Sequence, residues 1–158
     1  MVVGQSLEEL RSKGYRVYHD IQEKGYNIDH VVIGPGGVFV IETKTISKRV
    51  SGNPRVSYDG KRVLVDGHAP DRDPVTQAKA AADRVVEILV RATGNRPKVR
   101  PVVLYPGWWV DKQPKGVKVW VLNQKAFPKF IDNEPLVLKP EEITLLSAAL
   151  ETHVRASR

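Results

Sequence analysis

The stretch from Asn27 to Lys44 constrains the fold of this chain more than any other. It reads Asn-Ile-Asp-His-Val-Val-Ile-Gly, then Pro-Gly, then Gly-Val-Phe-Val-Ile-Glu-Thr-Lys. Two apolar, β-branched-rich runs on either side of Gly34-Pro35-Gly36-Gly37 specify a β-hairpin with a tight reversal. With a symmetric loop Ile33 faces Val38, and counting outward sets Asp29 directly across from Glu42. Side chains alternate along a strand, so Asp29, Val31, Ile33, Val38, Val40, Glu42 and Lys44 share one face. Val32, Phe39 and Ile41 occupy the other, which places the hairpin centrally in a sheet covered on both sides. Two carboxylates opposed at the end of such a ribbon repel each other. A bound cation would relieve that repulsion.

The rest of the chain supplies the covers. Ser6 to Lys13 reads as a short helix with Ser6 as N-cap, Glu9 three residues on and Gly14 as the stop. Tyr15 to Ile21 alternates like a strand, and Gln22 to Tyr26 reads as a turn. From Ser47 to Gly67 the texture changes: Val56-Ser57-Tyr58 and Arg62-Val63-Leu64-Val65 flank Asp59-Gly60, a two-residue hairpin signal. Lys48, Arg49, Arg55, Lys61 and Arg62 make this a basic flap beside the main sheet. Asp73-Pro74 opens the strongest helix, Asp as N-cap and Pro at its first position. That helix runs to about Ala92, closes at Gly94, and carries Val75, Ala78, Ala82, Val85, Val86 and Leu89 as its apolar stripe. Strands follow at Val99–Tyr105 and Val117–Leu122. Asn123 caps a short helix reaching about Phe130. A last helix spans Pro140 to about Arg155, with Ile143, Leu145, Leu146 and Leu150 apolar. A strand–helix–strand crossover beside antiparallel hairpins gives an α/β protein with a mixed sheet and helices on both faces, not doubly wound throughout. The 158 residues suit one domain.

Composition narrows the chemistry. A formal charge of +7 and a pI near 9.7 favour a polyanionic partner, nucleic acid above all, although a basic surface also serves solubility alone. No apolar run approaches the roughly 18 residues of a membrane span, and Met-Val-Val-Gly-Gln-Ser is unlike a secretion signal. The absence of cysteine removes disulfides and thiolate chemistry and fits a cytoplasmic protein. Asp29, Glu42 and Lys44 form the leading constellation. Mg2+ takes hard oxygen ligands, commonly one or two carboxylates with water and phosphate completing the shell. Cross-strand partners lie roughly 4.5–5.5 Å apart at Cβ, so Asp29 and Glu42 can reach one ion, with the Thr43 carbonyl as a third donor. Lys44, on the same face, can orient water or neutralise charge on a phosphate in the transition state. The same spacing also fits a simple ion pair between Lys44 and one carboxylate.

Asp29 followed by Ile41-Glu42-Thr43-Lys44 beyond an apolar turn resembles the PD-(D/E)xK nuclease pattern. More narrowly, Asn27–Gly34 and Gly37–Lys44 resemble the nuclease-related (NERD) domain, and Asp73-Pro74-Val75-Thr76-Gln77-Ala78 is similar to that family's Asn/Asp-Pro-x-x-Gln-Ala helix start. The matches span about residues 15 to 105. The resemblance implies a restriction-endonuclease-like core, Asp29 and Glu42 as ligands of Mg2+ or Mn2+, Lys44 as catalytic lysine, and Gln77 lining the site from the helix to contact phosphate or the attacking water. It further implies DNA as substrate. One departure stands out. The family carries a Gly-Glu pair in its first helix, whose Glu joins the metal site. Here Gly4 is followed by Gln5, with Glu8 and Glu9 further in.

Three readings therefore compete: a metal-dependent deoxyribonuclease, a nucleic-acid-binding module of the same fold with weak or no catalysis, and, more faintly, a protein-assembly scaffold. Alternation turns His30 away from Asp29, and the histidines at 19, 30, 68 and 153 suggest no zinc site. Trp108-Trp109 face opposite ways, so one belongs to the core and one at most is available to stack on a base. Lys112, Lys115 and Lys118 join the basic flap as phosphate contacts, which position a nucleic acid without reading sequence.

Overall fold

The computed structural model describes residues 3–46 and 55–157. A short helix α1 (Val3–Glu8) tightens into a 3-10 turn (Glu9–Lys13) and leads into β1 (Arg16–Glu23), β2 (Tyr26–Gly34) and β3 (Gly37–Thr43). Next come β4 (Arg55–Tyr58), β5 (Val63–Val65) and the long helix α2 (Pro74–Thr93). The chain closes with β6 (Val99–Leu104), β7 (Trp109–Val110), β8 (Trp120–Leu122), α3 (Phe127–Asp132) and α4 (Pro140–Ala156).

The central hairpin takes the register its pattern demands. Ile33 pairs with Val38, Val31 with Val40 and His30 with Ile41. It is central in fact, because the main sheet has the order β1-β2-β3-β6-β8. β1 and β3 flank β2 antiparallel, while β6 runs parallel to β3 and β8 parallel to β6. The parallel β3–β6 pair is joined through α2, the crossover expected from the element order. Both faces are covered. Val31, Ile33, Val38 and Val40 pack on Ala82, Val85 and Leu89 of α2 and on Ile143, Leu146 and Leu150 of α4. Val32, Phe39 and Ile41 pack against Val3, Leu7 and Leu10 on one side of that face and Phe127 and Ile131 of α3 on the other. Phe39 stacks on Trp120 at 5.5 Å and meets Phe127 edge-on at 5.8 Å.

The reversal is held as tightly as the strands. A Cβ on Gly34 would stand 2.1 Å from the Tyr15 ring, and Gly37 takes φ 121°, so neither position accommodates a side chain without strain. The Tyr15 hydroxyl accepts the Gly36 amide, and the Pro35 carbonyl accepts the amides of Val137 and Leu138. The far end of β1 is pinned differently. The Glu23 carboxylate takes Arg84 Nε of α2 at 2.5 Å and His153 Nε2 of α4 at 2.8 Å, binding sheet and both helices at one buried point.

Several boundaries differ from the sequence expectation, each for a packing reason. α1 begins at Val3 rather than at a Ser6 cap, since burial of Val3 and Leu7 carries the helix upstream; Gly14 does end it, at φ 89°. β1 runs through Gln22 and Glu23, leaving only Lys24 and Gly25 to turn, because Glu23 is anchored as above. The basic hairpin closes through four residues, not two: Tyr58 pairs with Val63, and the Asp59 carboxylate accepts the amides of Lys61 and Arg62. Nor is that hairpin a flap. β7 pairs parallel to β4 to make a second sheet, β5-β4-β7, whose Val56, Tyr58 and Val63 are buried against Val75 and Ala78 of α2 and Trp108. The strand expected from Val117 starts only at Trp120, as the Val117 and Lys118 carbonyls turn to the Arg100 guanidinium. Asn123 accepts the Lys125 amide and so shapes the turn ahead of α3 rather than capping it. In α4, Leu145 is 46% exposed while Ser147 takes an inner position. The long helix matches its signals: the Asp73 carboxylate caps the Val75 amide and Gly94 closes it at φ 76°.

Two stability outcomes follow. Gly34→Ala, which drives a methyl into the Tyr15 ring, should lower stability by about 1–3 kcal/mol in denaturant titration. Glu23 has its carboxyl lowered overall, because the hydrogen bonds and charges of His153 and Arg84 outweigh the desolvation that opposes them. Its contribution is therefore present above the ordinary carboxylate range and is lost as pH falls through its depressed value. Glu23→Gln should cost about 2–3 kcal/mol at pH 7, with the difference from wild type shrinking toward pH 3.

Candidate active site

Where β2 parts from β3, the apolar ribbon gives way to charge. His30 and Ile41 form the last pair of the ladder, and Asp29 and Glu42 stand next in the same register. The Asp29 side chain crosses the gap, and its Oδ2 accepts the Thr43 amide at 2.8 Å. One residue on, the Lys44 amide donates to the Leu104 carbonyl of β6 at 2.8 Å. The end of β3 is thereby held from both sides. Asp29 Oδ1 has no hydrogen-bond partner among the described residues.

Glu42 and Lys44 project to the face that carries α2. Their side chains are 19% and 25% exposed, and Lys44 Nζ lies 3.5 Å from Glu42 Oε1. The same ammonium donates to Gln77 Oε1 at 2.5 Å. Gln77 sits there because the Asp73-Pro74 cap starts α2 at the edge of β3, and its own amide closes the first turn on the Asp73 carbonyl at 3.1 Å. Burial raises the Glu42 carboxyl above the ordinary range, and repulsion from Asp29 adds to it, while Lys44 partly offsets both. A carboxylate held in this unfavourable state beside a second one is the electrostatic pattern of a cation or proton site. The Thr43 hydroxyl is buried there without a partner.

The structure therefore brings Asp29, Glu42, Thr43, Lys44 and Gln77 together. The donor chemistry suits Mg2+ or Mn2+: two carboxylates of hard oxygen, partly shielded, with room in a typical shell for water and phosphate. Among the described residues no group of three His, Cys, Asp or Glu side chains could hold a metal ion. The acidic side chains of the first helix do not close the gap. Gln5 is exposed, and Glu8 is engaged with Arg11 Nε at 3.0 Å and His19 Nε2 at 3.0 Å. His30 lies on the α1 face as alternation requires, its Nδ1 2.8 Å from that of His19, and burial lowers its basicity.

Other sequence candidates lie apart from this cluster. Arg55, Lys61 and Arg62 are exposed on the second sheet, Arg55 paired with Asp111 at 3.2 Å. Lys48 and Arg49 fall outside the described residues. The two tryptophans separate as alternation required: Trp108 is buried, and Trp109 is 65% exposed. What sequence reasoning missed is the hydrogen bond from the Thr43 amide to the Asp29 carboxylate, since a backbone amide freed by a diverging strand leaves no mark in the residue pattern.

Because the Glu42 carboxyl is raised, the folded protein holds that proton to higher pH than the unfolded chain does. The stability Glu42 confers is complete below the ordinary carboxylate range and is lost as pH rises through its raised value. Glu42→Gln, assayed by thermal denaturation in chelator, should be at least as stable as wild type at pH 7.5, by no more than about 1 kcal/mol since an ion pair is also lost. The gain should vanish near pH 4.

The model of the nuclease-related domain family matches residues 2–106. Among solved structures, SfsA of Pyrococcus furiosus, in complex with Ca2+, aligns at 17% identity and a TM-score of 0.35, over 92% of this chain and 48% of that one. The chain thus spans about half the length of that protein, and the likeness is too loose to bear on the site. No curated protein sequence matches the chain.

Proposed function

This chain belongs to the nuclease-related domain family, and on that premise we propose that it is a metal-dependent phosphodiester hydrolase acting on DNA. Asp29 and Glu42 would hold Mg2+ or Mn2+ with the Thr43 carbonyl, and Lys44 would serve the phosphate or the attacking water. The observation that carries this reading is the position of the Lys44 ammonium, shared between Glu42 Oε1 and Gln77 Oε1. A lysine so placed beside two carboxylates can follow negative charge as it builds on a phosphate.

The bound ion would polarise the scissile phosphate and lower the pKa of a water. The chain's own groups do the rest. Asp29 and Glu42 must both be ionised, and Glu42, already reluctant to lose its proton, gains most from a cation nearby. Gln77 shares the Lys44 ammonium with Glu42, so the ammonium would keep one partner on α2 while it leaves Glu42 for a non-bridging phosphate oxygen. Water adds to phosphorus, the bond to one sugar oxygen breaks, and that oxygen leaves with a proton. Arg55, Lys61 and Arg62, together with Lys48 and Arg49, are the sequence-independent phosphate contacts of this reading. We treat residues 1–158 as one domain with an inserted basic hairpin, and assign it to the cytoplasm on its cysteine-free sequence. No helix among the described residues is long and apolar enough to cross a membrane.

One observation favours a binding module instead. Gln5 stands where the family has its helix glutamate, and Glu8 is committed to Arg11 and His19. Incubation of plasmid and branched DNA with Mg2+ or Mn2+ separates the two. Hydrolysis that falls on the order of 100-fold or more in Lys44→Ala supports the enzyme. Equal rates for wild type and Lys44→Ala contradict the catalytic assignment, and salt-sensitive binding that survives Asp29→Ala without any cleavage establishes the module.

A further inference from the structure

A broad groove runs between the segment after β6 and helix α3. Its volume is about 1770 Å³, beyond the roughly 300–1,000 Å³ usual for a small-molecule pocket. Lys112 and Lys115 stand on one wall, Lys125 and Lys129 on the other, and Trp109 at the rim. All four lysines are exposed, and none has an ion-pair partner among the described residues. The acidic side chains of the lining are both occupied: Asp111 pairs with Arg55, and Glu134 with Lys98 and Arg100. The groove therefore presents uncompensated positive charge.

Its walls are braced in advance. Gln113 Oε1 accepts the Val121 amide at 3.0 Å, which fixes the lysine-bearing loop to β8. Asn123 Nδ2 donates to the Trp108 carbonyl at 2.8 Å, which fixes the rim. The Trp109 indole donates to Asp111 Oδ1 at 3.1 Å, so its ring, 65% exposed, is held in one attitude with a bare face. Hydrogen bonds tie the segment behind the groove to the end of β3: Trp108 Nε1 donates to the Ile46 carbonyl, two residues beyond Lys44, and the Lys44 amide donates to the Leu104 carbonyl at the end of β6.

We propose that this groove binds an unpaired strand of the polynucleotide substrate, with Trp109 stacking on a base and Lys112, Lys115, Lys125 and Lys129 on successive phosphates. The inference rests on the hydrolase reading for its connection to the site. It stands on its own residues for binding, all five of which lie beyond the 2–106 stretch that the family model matches. Cationic walls with an aromatic platform suit single strands, whose base faces are free, whereas a duplex hides those faces in its own stack. Lys125 lies in the turn ahead of α3 and Lys129 within the helix, so the fold and not a local pattern brings them together.

Binding is measured in chelator, so that hydrolysis plays no part, by fluorescence anisotropy with an oligothymidylate of about 12 nucleotides, its oligouridylate counterpart and a blunt duplex of equal length. The single strand should bind more tightly than the duplex, and the ribo and deoxy arms tell which sugar is preferred. Trp109→Ala should weaken single-strand binding roughly tenfold, with Trp109→Phe restoring most of it. Lys125→Ala with Lys129→Ala should make the salt dependence shallower by about 1.4 in log–log slope. A duplex bound as tightly as the single strand, or a Trp109→Ala protein that binds like wild type, overturns the proposal. Trp109-dependent binding by a protein that fails to cleave any DNA counts for the groove and against hydrolysis.

Discussion

Strand β3 is the element on which the molecule depends. It is hydrogen-bonded to an antiparallel partner on one edge and a parallel one on the other, and Gly37 to Ile41 are buried on both faces. Such a strand tolerates no charge along its length. Charge enters only where β2 departs and the two edges lose their common cover, and there Glu42 and Lys44 appear with Asp29 opposite. The amide that β2 no longer serves is taken by the Asp29 carboxylate. One side chain thus completes the ladder with one oxygen and leaves the other toward the site.

The rest of the site follows from the crossover. A parallel β3–β6 pair requires a long connection, and α2 supplies it, packed on the same face that Glu42 and Lys44 share. Its capped first turn carries Gln77 to the Lys44 ammonium. The arrangement is not the most stable available to this fold: a partly buried glutamate is held against both desolvation and a neighbouring carboxylate. Stability is thus set aside at one polar cluster, in a core otherwise filled with apolar side chains.

Much of this was legible in the residues. The Gly34–Gly37 punctuation and the alternation around it specified the hairpin, its register and its two buried faces, and Asp73-Pro74 with Gly94 marked both ends of α2. The same alternation marked Asp29, Glu42 and Lys44 as polar residues that gather on one face at the end of the hairpin. What escaped was set by tertiary contacts. β7 has two residues and no pattern of its own; it exists because the β4 edge pairs with it, and with it the basic hairpin becomes part of a sheet. α1 begins where Val3 finds the core, not at the local Ser6 signal. Trp108 and Trp109 are identical in sequence, and only alternation about a short strand assigns one to the interior and one to solvent.

Calorimetric titration with Mn2+ tests the central claim most directly, because it reads the two carboxylates without requiring turnover. Wild-type protein should bind the ion with measurable heat and release protons as Glu42 ionises, and Glu42→Ala should abolish that heat. An absence of metal-linked heat in the wild type, or the same heat after Glu42→Ala, would contradict the account.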